Sequence, residues 1–299
     1  MIEINRCPIC DGRTFLPFIT AQDYSISREI FPIIRCTNCG LLVTSPRPSN
    51  DKLGRYYTSP AYTSHVNTAK NIIDKIYFRA RQFTLKWKLS ILENTILISS
   101  QKNLLDFGCG TGEFLKVAKS NGWSTMGMEP SHFARKQADA TIAQDIKAST
   151  EEVTGHNKRF NAITLWHVLE HVENLNETLK TLKDLLEQSG IIFIAVPNHT
   201  SWDSEHYKQY WAGYDVPRHL WHFNTKSMQR LLKNHALTVV RIIPMRLDAF
   251  YVSLLSEKYR DGKSVSIVGM IKAFFNGLRS NYSARRSMEY SSLIYVIKK

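Results

Sequence analysis

The sequence has no long hydrophobic run. Its longest, Ile191–Val196, spans six residues, far short of the ~20 that a membrane-spanning helix needs. Its start, from Met1 to Cys7, has no basic stretch followed by an apolar core, so a cytoplasmic protein is expected rather than a secreted one. No five consecutive residues are Lys or Arg, which removes the sharpest nucleic-acid signature. Internal repeats and low-complexity segments are also missing. Acidic charge is scarce: 26 Asp and Glu stand against 39 Lys and Arg, a formal charge of +13.

What is present is enough for a packed core, since 11% of residues are aromatic and only 22% are charged. At 299 residues, one large domain plus a smaller module is the natural division. The charge is uneven. Residues 1–100 net +6, residues 101–200 net −2 and residues 201–299 net +9. A polyanionic partner (nucleotide-sugar, phospholipid surface or RNA) and a merely solvated basic surface are both open readings.

Four of the five cysteines form a set. Cys7 and Cys10 read C-P-I-C, Cys36 and Cys39 read C-T-N-C, and 25 residues separate the pairs. Two-residue gaps let both thiolates of a pair reach one ion, and two pairs complete a closed tetrahedral shell, the geometry of structural zinc. Disulfides are the weaker explanation in a cytoplasmic chain. Gly12 and Gly40 follow each pair, where the chain must turn. So small a module has too little core to fold unaided and needs such a staple. The expected division is a zinc-ribbon module at 1–48, a helical linker or cleft cap at 49–100, and a main domain at 101–299 with insertions at 197–223 and 245–290.

The central third alternates strands and helices. Asn103–Phe107 is a short buried strand that feeds Gly108-Cys-Gly-Thr-Gly112 and then a helical pattern from Glu113. Trp123–Glu129 is a second strand, with an acid 17 residues past Gly112 that can accept from ribose hydroxyls. Ser131 caps the next helix, and Asp145 is read as a second acid at a strand end. Asn161–Trp166 and Gly190–Val196 are further strands, with an amphipathic helix over 174–188 between them. Residues 225–236 are expected as a helix, 237–244 as a strand and 291–298 as the last strand. The class is therefore α/β, with a doubly wound, Rossmann-like sheet that binds ligands at strand carboxyl ends. Glu113 stands where a dinucleotide fingerprint needs a third glycine, which argues against NAD.

Taken together, Leu-Leu-Asp-Phe-Gly-Cys-Gly-Thr-Gly, Gly-Met-Glu-Pro-Ser and Leu-Trp-His-Val-Leu-Glu-His-Val resemble the class I S-adenosylmethionine-dependent methyltransferases, over roughly residues 80–244. The resemblance implies their seven-stranded sheet. It implies that Gly108, Gly110 and Gly112 cradle the cofactor and that Asp106 lies beneath its amino-acid part. Glu129 would hold the ribose, Asp145 and Ile146 would meet the adenine, and Pro130 and Trp166 would wall the cleft. Cys109 reads as a packing residue.

His167-Val-Leu-Glu170-His171 admits several readings. Quinone O-methyltransferases resemble it and place two acids and a His around a divalent ion, but His167 replaces the first acid here. A structural reading has Glu170 hydrogen-bonding neighbouring loops. His167 and His171 are candidate general bases, because neutral imidazole accepts a proton near pH 7. Between 197 and 223 lie seven aromatics and four histidines. Arg218 and His222 are candidate substrate contacts there, and His219 is a further catalytic candidate. Tyr56, Tyr57 and Tyr62 follow Pro46-Arg-Pro48 and are candidates to cap the cleft. These features resemble bacterial methyltransferases with an N-terminal zinc ribbon from sugar and polysaccharide pathways.

The expected activity is thus methyl transfer from S-adenosylmethionine to O or C of a small anionic or saccharide-type acceptor, such as a nucleotide-sugar or glycan. Zinc is expected in a structural role, and the oligomeric state is left open. An RNA-modifying enzyme, a quinone-type O-methyltransferase and a non-catalytic zinc-ribbon adaptor are the alternatives. The segment from Ser264 to Arg279 has apolar residues at helical spacing and reads as a lid, a membrane-surface helix or a dimer contact.

Overall fold

A computed structural model describes residues 1–57, 72–96, 102–262 and 265–299. Tyr62 and Ser264 lie outside the described residues, as does part of the 49–100 linker. The chain begins with an antiparallel meander of β1 (Phe15–Gln22), β2 (Ile30–Cys36) and β3 (Leu42–Thr44). The four cysteines lie at one end of it. Helix Ile72–Thr95 then leads to the main sheet.

That sheet contains β4 (Asn103–Phe107), β5 (Ser124–Met128), β6 (Ile146–Lys147), β7 (Phe160–Trp166) and β8 (Leu186–Pro197). After the short β9 (Trp221–His222) come β10 (Thr238–Pro244) and β11 (Ser292–Lys298). The order is β10-β11-β8-β7-β4-β5-β6. Strands β4 to β8 pair in parallel, and β11 runs antiparallel to both β8 and β10. This is the expected seven-stranded, Rossmann-like methyltransferase fold. Helices cover both faces, so the central strands are apolar on both sides: Leu104, Leu105, Ile163, Leu165, Ile192 and Ile194 are all fully buried. Each such side chain contributes roughly 1.5–3 kcal/mol by leaving water.

Two boundaries differ from the sequence reading. The helix expected over 174–188 ends at Leu185, and β8 starts at Leu186, before Gly190. Phe160 pairs with Leu186 across a register shift, and burying Leu186 in that pairing outweighs its helical spacing. At the first cysteine pair the left-handed residue is Asp11, with φ 57°, rather than Gly12.

The N-terminal meander is not cored on its own. Strand β9, from the 197–223 insertion, joins it as a fourth strand, with Leu42 opposite His222 and Val43 opposite Trp221. Cys7, Ile9, Leu41 and Val43 belong to the same apolar cluster as Ile163 and Val196 of the main sheet. Asp203 ties further parts together by accepting from Trp211 Nε1 (2.8 Å), Ser280 Oγ (2.7 Å) and Ser291 Oγ (2.7 Å). The meander and the insertion are held against the turn that follows β7, where Leu220 N–H donates to the Glu170 carbonyl and Trp221 Nε1–H to the Val172 carbonyl.

Candidate functional site

The cleft floor is built locally. Strand β4 ends at Phe107, and the loop after it turns through three glycines with positive φ before helix Glu113–Ser120 begins. At Gly112, with φ +75°, a Cβ would meet Ile142 Cδ1 at 2.2 Å, so neither conformation nor space admits a side chain. Glu129, just past β5, locks this loop: Gly110 N–H donates to Oε2 at 2.9 Å and Ser131 N–H to Oε1 at 2.8 Å. The carboxylate is thereby aimed across the loop with lone pairs to spare for a diol. Pro130 beside it is exposed.

Asp106 is buried beneath the loop and accepts from Thr164 Oγ1 at 2.6 Å. Burial pushes its pKa up to about 7, against the pull of that hydrogen bond and of the Lys88 charge. Lys88, on helix Ile72–Thr95, places its ammonium 4.5 Å from the centroid of Trp166, the last residue of β7. Sequence reasoning missed Lys88, because a lysine inside a helical pattern carries no local signal.

A second group of side chains sits beyond the end of β7. His167 takes a left-handed backbone, φ 58°, and points Nε2 at Asp248 Oδ2 (3.0 Å) and Nδ1 at Glu170 Oε1 (3.4 Å). Burial opposes its protonation, but the hydrogen bonds and charges of Asp248 and Glu170 outweigh this and push its pKa up to about 9. It is therefore cationic near neutrality, which corrects its assignment as a general base. His171 is the reverse. Burial, then the neighbouring His219, pushes its pKa down to about 4, so it is neutral. Its Nδ1 lies 3.0 Å from the Arg218 carbonyl and 3.1 Å from Tyr57 Oη. His219 Nδ1 lies 2.9 Å from the Gly213 carbonyl. A carbonyl only accepts, so in neutral His171 the tautomer that uses it carries the proton on Nδ1 and leaves Nε2 bare.

Glu170 completes this group. It is 1% exposed, and its partners are ring nitrogens: His167 Nδ1 at 3.4 Å and His219 Nε2 at 4.0 Å from Oε1. Glu170, His171 and His219 bring one ligand atom each within 4.8 Å of one another. Tyr57 stands between the two groups. Burial raises its pKa, as do the charges of Asp215, Glu170 and Glu129, so its hydroxyl stays protonated.

Five expected contacts are placed elsewhere. Asp145 precedes β6 instead of ending a strand, and its carboxylate accepts from Lys119 (2.8 Å) and Thr125 (3.3 Å). Ile146 is buried beside Gly112 and Gly127, in the core under the loop. Tyr56 is fully buried against Phe31, with its hydroxyl donating to Glu29 at 2.6 Å. Arg218 is buried and spends its guanidinium on Asp23 (3.0 Å), Asp215 (2.7 and 2.9 Å) and the Tyr56 carbonyl (3.1 Å). His222 is buried in the meander with Nε2 at 3.0 Å from Thr44 Oγ1. Arg218 and His222 hold the insertion to the meander, and the substrate role is withdrawn from both.

The four cysteines converge. Cys7 and Cys39 Sγ are 3.5 Å apart, as are Cys10 and Cys36, too far for disulfides and close to the edge of a thiolate tetrahedron. A Cβ on Gly12 would lie 3.2 Å from Cys10 Sγ and 3.4 Å from Cys36 Sγ, so a glycine keeps that space clear.

Residues 77–242 match the methyltransferase domain family, and the chain belongs to it. A ubiquinone biosynthesis O-methyltransferase of Pelagibacter ubique is 30% identical over 125 residues, 38% of this chain and 51% of that protein. An uncharacterized methyltransferase of Alkaliphilus oremlandii is 34% identical over 113 residues, 35% of this chain and 49% of its own length. The chain thus spans about half the length of the curated relatives it matches. Among solved structures, a mycolic acid cyclopropane synthase solved with SAH and CTAB superposes with a TM-score of 0.50 at 13% identity, over 71% of this chain and 83% of that one. That likeness is one of fold.

Proposed function

We propose that the chain is an S-adenosylmethionine-dependent O-methyltransferase acting on a hydroxyl of a small-molecule acceptor. The observation that carries this reading is the pairing of a loop locked by Glu129 with a buried set of acceptors next to it. Bound in the cleft, the cofactor would supply an electrophilic methyl group. Glu129 would hold the ribose hydroxyls, and the loop of Gly108, Gly110 and Gly112 would cradle the rest. Trp166 and Pro130 would border it, and Asp106 with Lys88 would flank its amino-acid end. His171 presents a bare Nε2, which would take the proton as the acceptor oxygen gains the methyl, with the His219 ring packed beside it. Tyr57 would orient the acceptor. With Arg218 consumed internally, a hydroxyl fits this pocket better than an anionic group, and both phenolic and saccharide acceptors satisfy it.

Isotope-labelled methyl transfer across phenols, glycans and nucleotide-sugars tests the reading. His171→Ala should cost about 10²–10⁴ in turnover with cofactor affinity kept. Calorimetry that finds no S-adenosylmethionine binding would sink it.

A quinone-type reading is favoured by one observation, the buried Glu170 carboxylate grouped with His171 and His219. These three would hold a divalent cation there, as a hard oxygen and two imidazoles suit it. Turnover unaffected by exhaustive chelation and Mg²⁺ or Zn²⁺ addition would exclude that variant. We also infer that Cys7, Cys10, Cys36 and Cys39 hold structural Zn²⁺ in a module over 1–48. Metal analysis should find one zinc per chain, and its removal should lower the melting temperature.

A further inference from the structure

Helix Ile267–Ser287 is built the wrong way round for a helix in water. Its buried face is made of small residues, Gly269, Ala273, Gly277, Ser280 and Ala284, which let it lie close against helix Asp248–Asp261. A Cβ on Gly277 would meet Phe250 at 2.6 Å, so that approach depends on the missing side chain. The large apolar residues point outward instead. Ile267, Ile271, Phe274, Phe275, Leu278 and Tyr282 are 44% to 73% exposed. At ~100° per residue they fall on one arc roughly 80–100° wide, a continuous stripe rather than scattered positions. Such stripes on soluble proteins mark contact surfaces.

The charge around the stripe indicates what covers it. The helix carries Lys272, Arg279, Arg285 and Arg286 and no Asp or Glu. Lys272 and Arg279 flank one side, Arg279 lying over the Trp202 ring at 4.9 Å, and Arg285 and Arg286 follow at the end. A second copy of this chain would bring the same cations face to face. An anionic bilayer meets both features at once, taking the apolar stripe at the level of its acyl boundary and the cations among its phosphates. No helix among the described residues is long and apolar enough to cross a membrane, so the contact is with the surface.

We propose that helix Ile267–Ser287 docks the protein onto anionic phospholipid bilayers. The docked helix packs on the helix that begins with Asp248, the partner of His167, so the cleft lies one helix away from the lipid.

Vesicle co-sedimentation of the full chain tests this. Phosphatidylglycerol-rich vesicles should retain the protein, pure phosphatidylcholine vesicles should retain much less, and rising salt should weaken the binding. Phe275→Glu should reduce retention by more than about tenfold with an unchanged melting temperature. Lys272→Glu combined with Arg286→Glu should abolish the preference for anionic lipid. Val240→Glu, which alters an equally exposed apolar residue on β10, should change neither. Equal retention on both vesicle types, or full retention of Phe275→Glu, overturns the proposal. So does a dimer, seen by light scattering, that Phe275→Glu splits.

Discussion

The proposed cofactor side and the proposed acceptor side are built differently. The cofactor side comes from one short stretch: Asp106, the glycine loop and Glu129 all lie within 24 residues, and the main polar contacts there are backbone N–H groups held by one acid. The acceptor side is assembled from segments far apart in the chain. Tyr57, Glu170, His171 and His219 meet because the chain after the meander and the 197–223 insertion fold against the turn after β7, and Asp248 reaches His167 from the helix after β10. A local loop can be read as a pattern and should tolerate changes elsewhere. An assembled cluster depends on whatever holds its segments together, and here much of that is the buried Asp23–Arg218–Asp215 clamp.

The clamp offers the hardest break. Asp23→Ala leaves Arg218 with part of its buried charge unmatched, and such losses cost about 3–5 kcal/mol. Chemical denaturation should show that loss, and the acceptor side should loosen with it. Cofactor affinity of the still-folded fraction should hardly move, because the glycine loop shares no residue with the clamp. A parallel loss of cofactor affinity would mean that the two sides are one unit.

Glu129→Ala strikes the other side. It removes the acceptor for Gly110 and Ser131 and, on the proposed reading, for the ribose, so S-adenosylmethionine should bind about 100-fold more weakly, roughly 3 kcal/mol from two charge-assisted hydrogen bonds. Calorimetry reads this directly. Global stability should fall by much less than with Asp23→Ala.

The two histidines of the acceptor side separate by pH. His167 has its pKa raised from 6.5 to about 9, so its ion pairs stabilise the fold fully below pH 6.5 and are lost as pH rises through 9. With a third of the side chain open to solvent, about 2 kcal/mol is at stake. His171 has its pKa lowered from 6.5 to about 4, so its contribution is present above pH 6.5 and is lost as pH falls through 4. His167→Gln should flatten the alkaline limb of stability against pH and leave the acid limb in place. Urea midpoints measured across that range decide it.

The same contrast explains what was legible in the residues alone. The glycine loop, Glu129, the strand order and the four cysteines are local patterns, and the structure has them where their spacing puts them. Periodicity could not show that Arg218 was already spent on Asp23, 195 residues away, or that Asp248 would fix the charge of His167. Lys88 was invisible for the same reason: it matters through Trp166, on another element. Polar side chains in the aromatic insertion read as substrate contacts because strand-end loops commonly carry them. This loop instead donates a strand to the meander, which buries His222 and Arg218.

Asp145 gives the smallest and sharpest test, because a strand-end acid and a strand-start acid look alike in sequence. Its side chain reaches back to Thr125, and Ile146 after it pairs with Gly127, so it lies short of Glu129 along the neighbouring strand. Its partner Lys119 is partly exposed, and such pairs contribute at most about 1 kcal/mol. Asp145→Ala should therefore leave S-adenosylmethionine affinity within about twofold of the parent, a shift of less than ~0.5 kcal/mol. Stability should fall by no more than the ion pair's own small worth. A tenfold loss of cofactor affinity would place Asp145 at the adenine after all, and would extend the cofactor side beyond the compact stretch between Asp106 and Glu129.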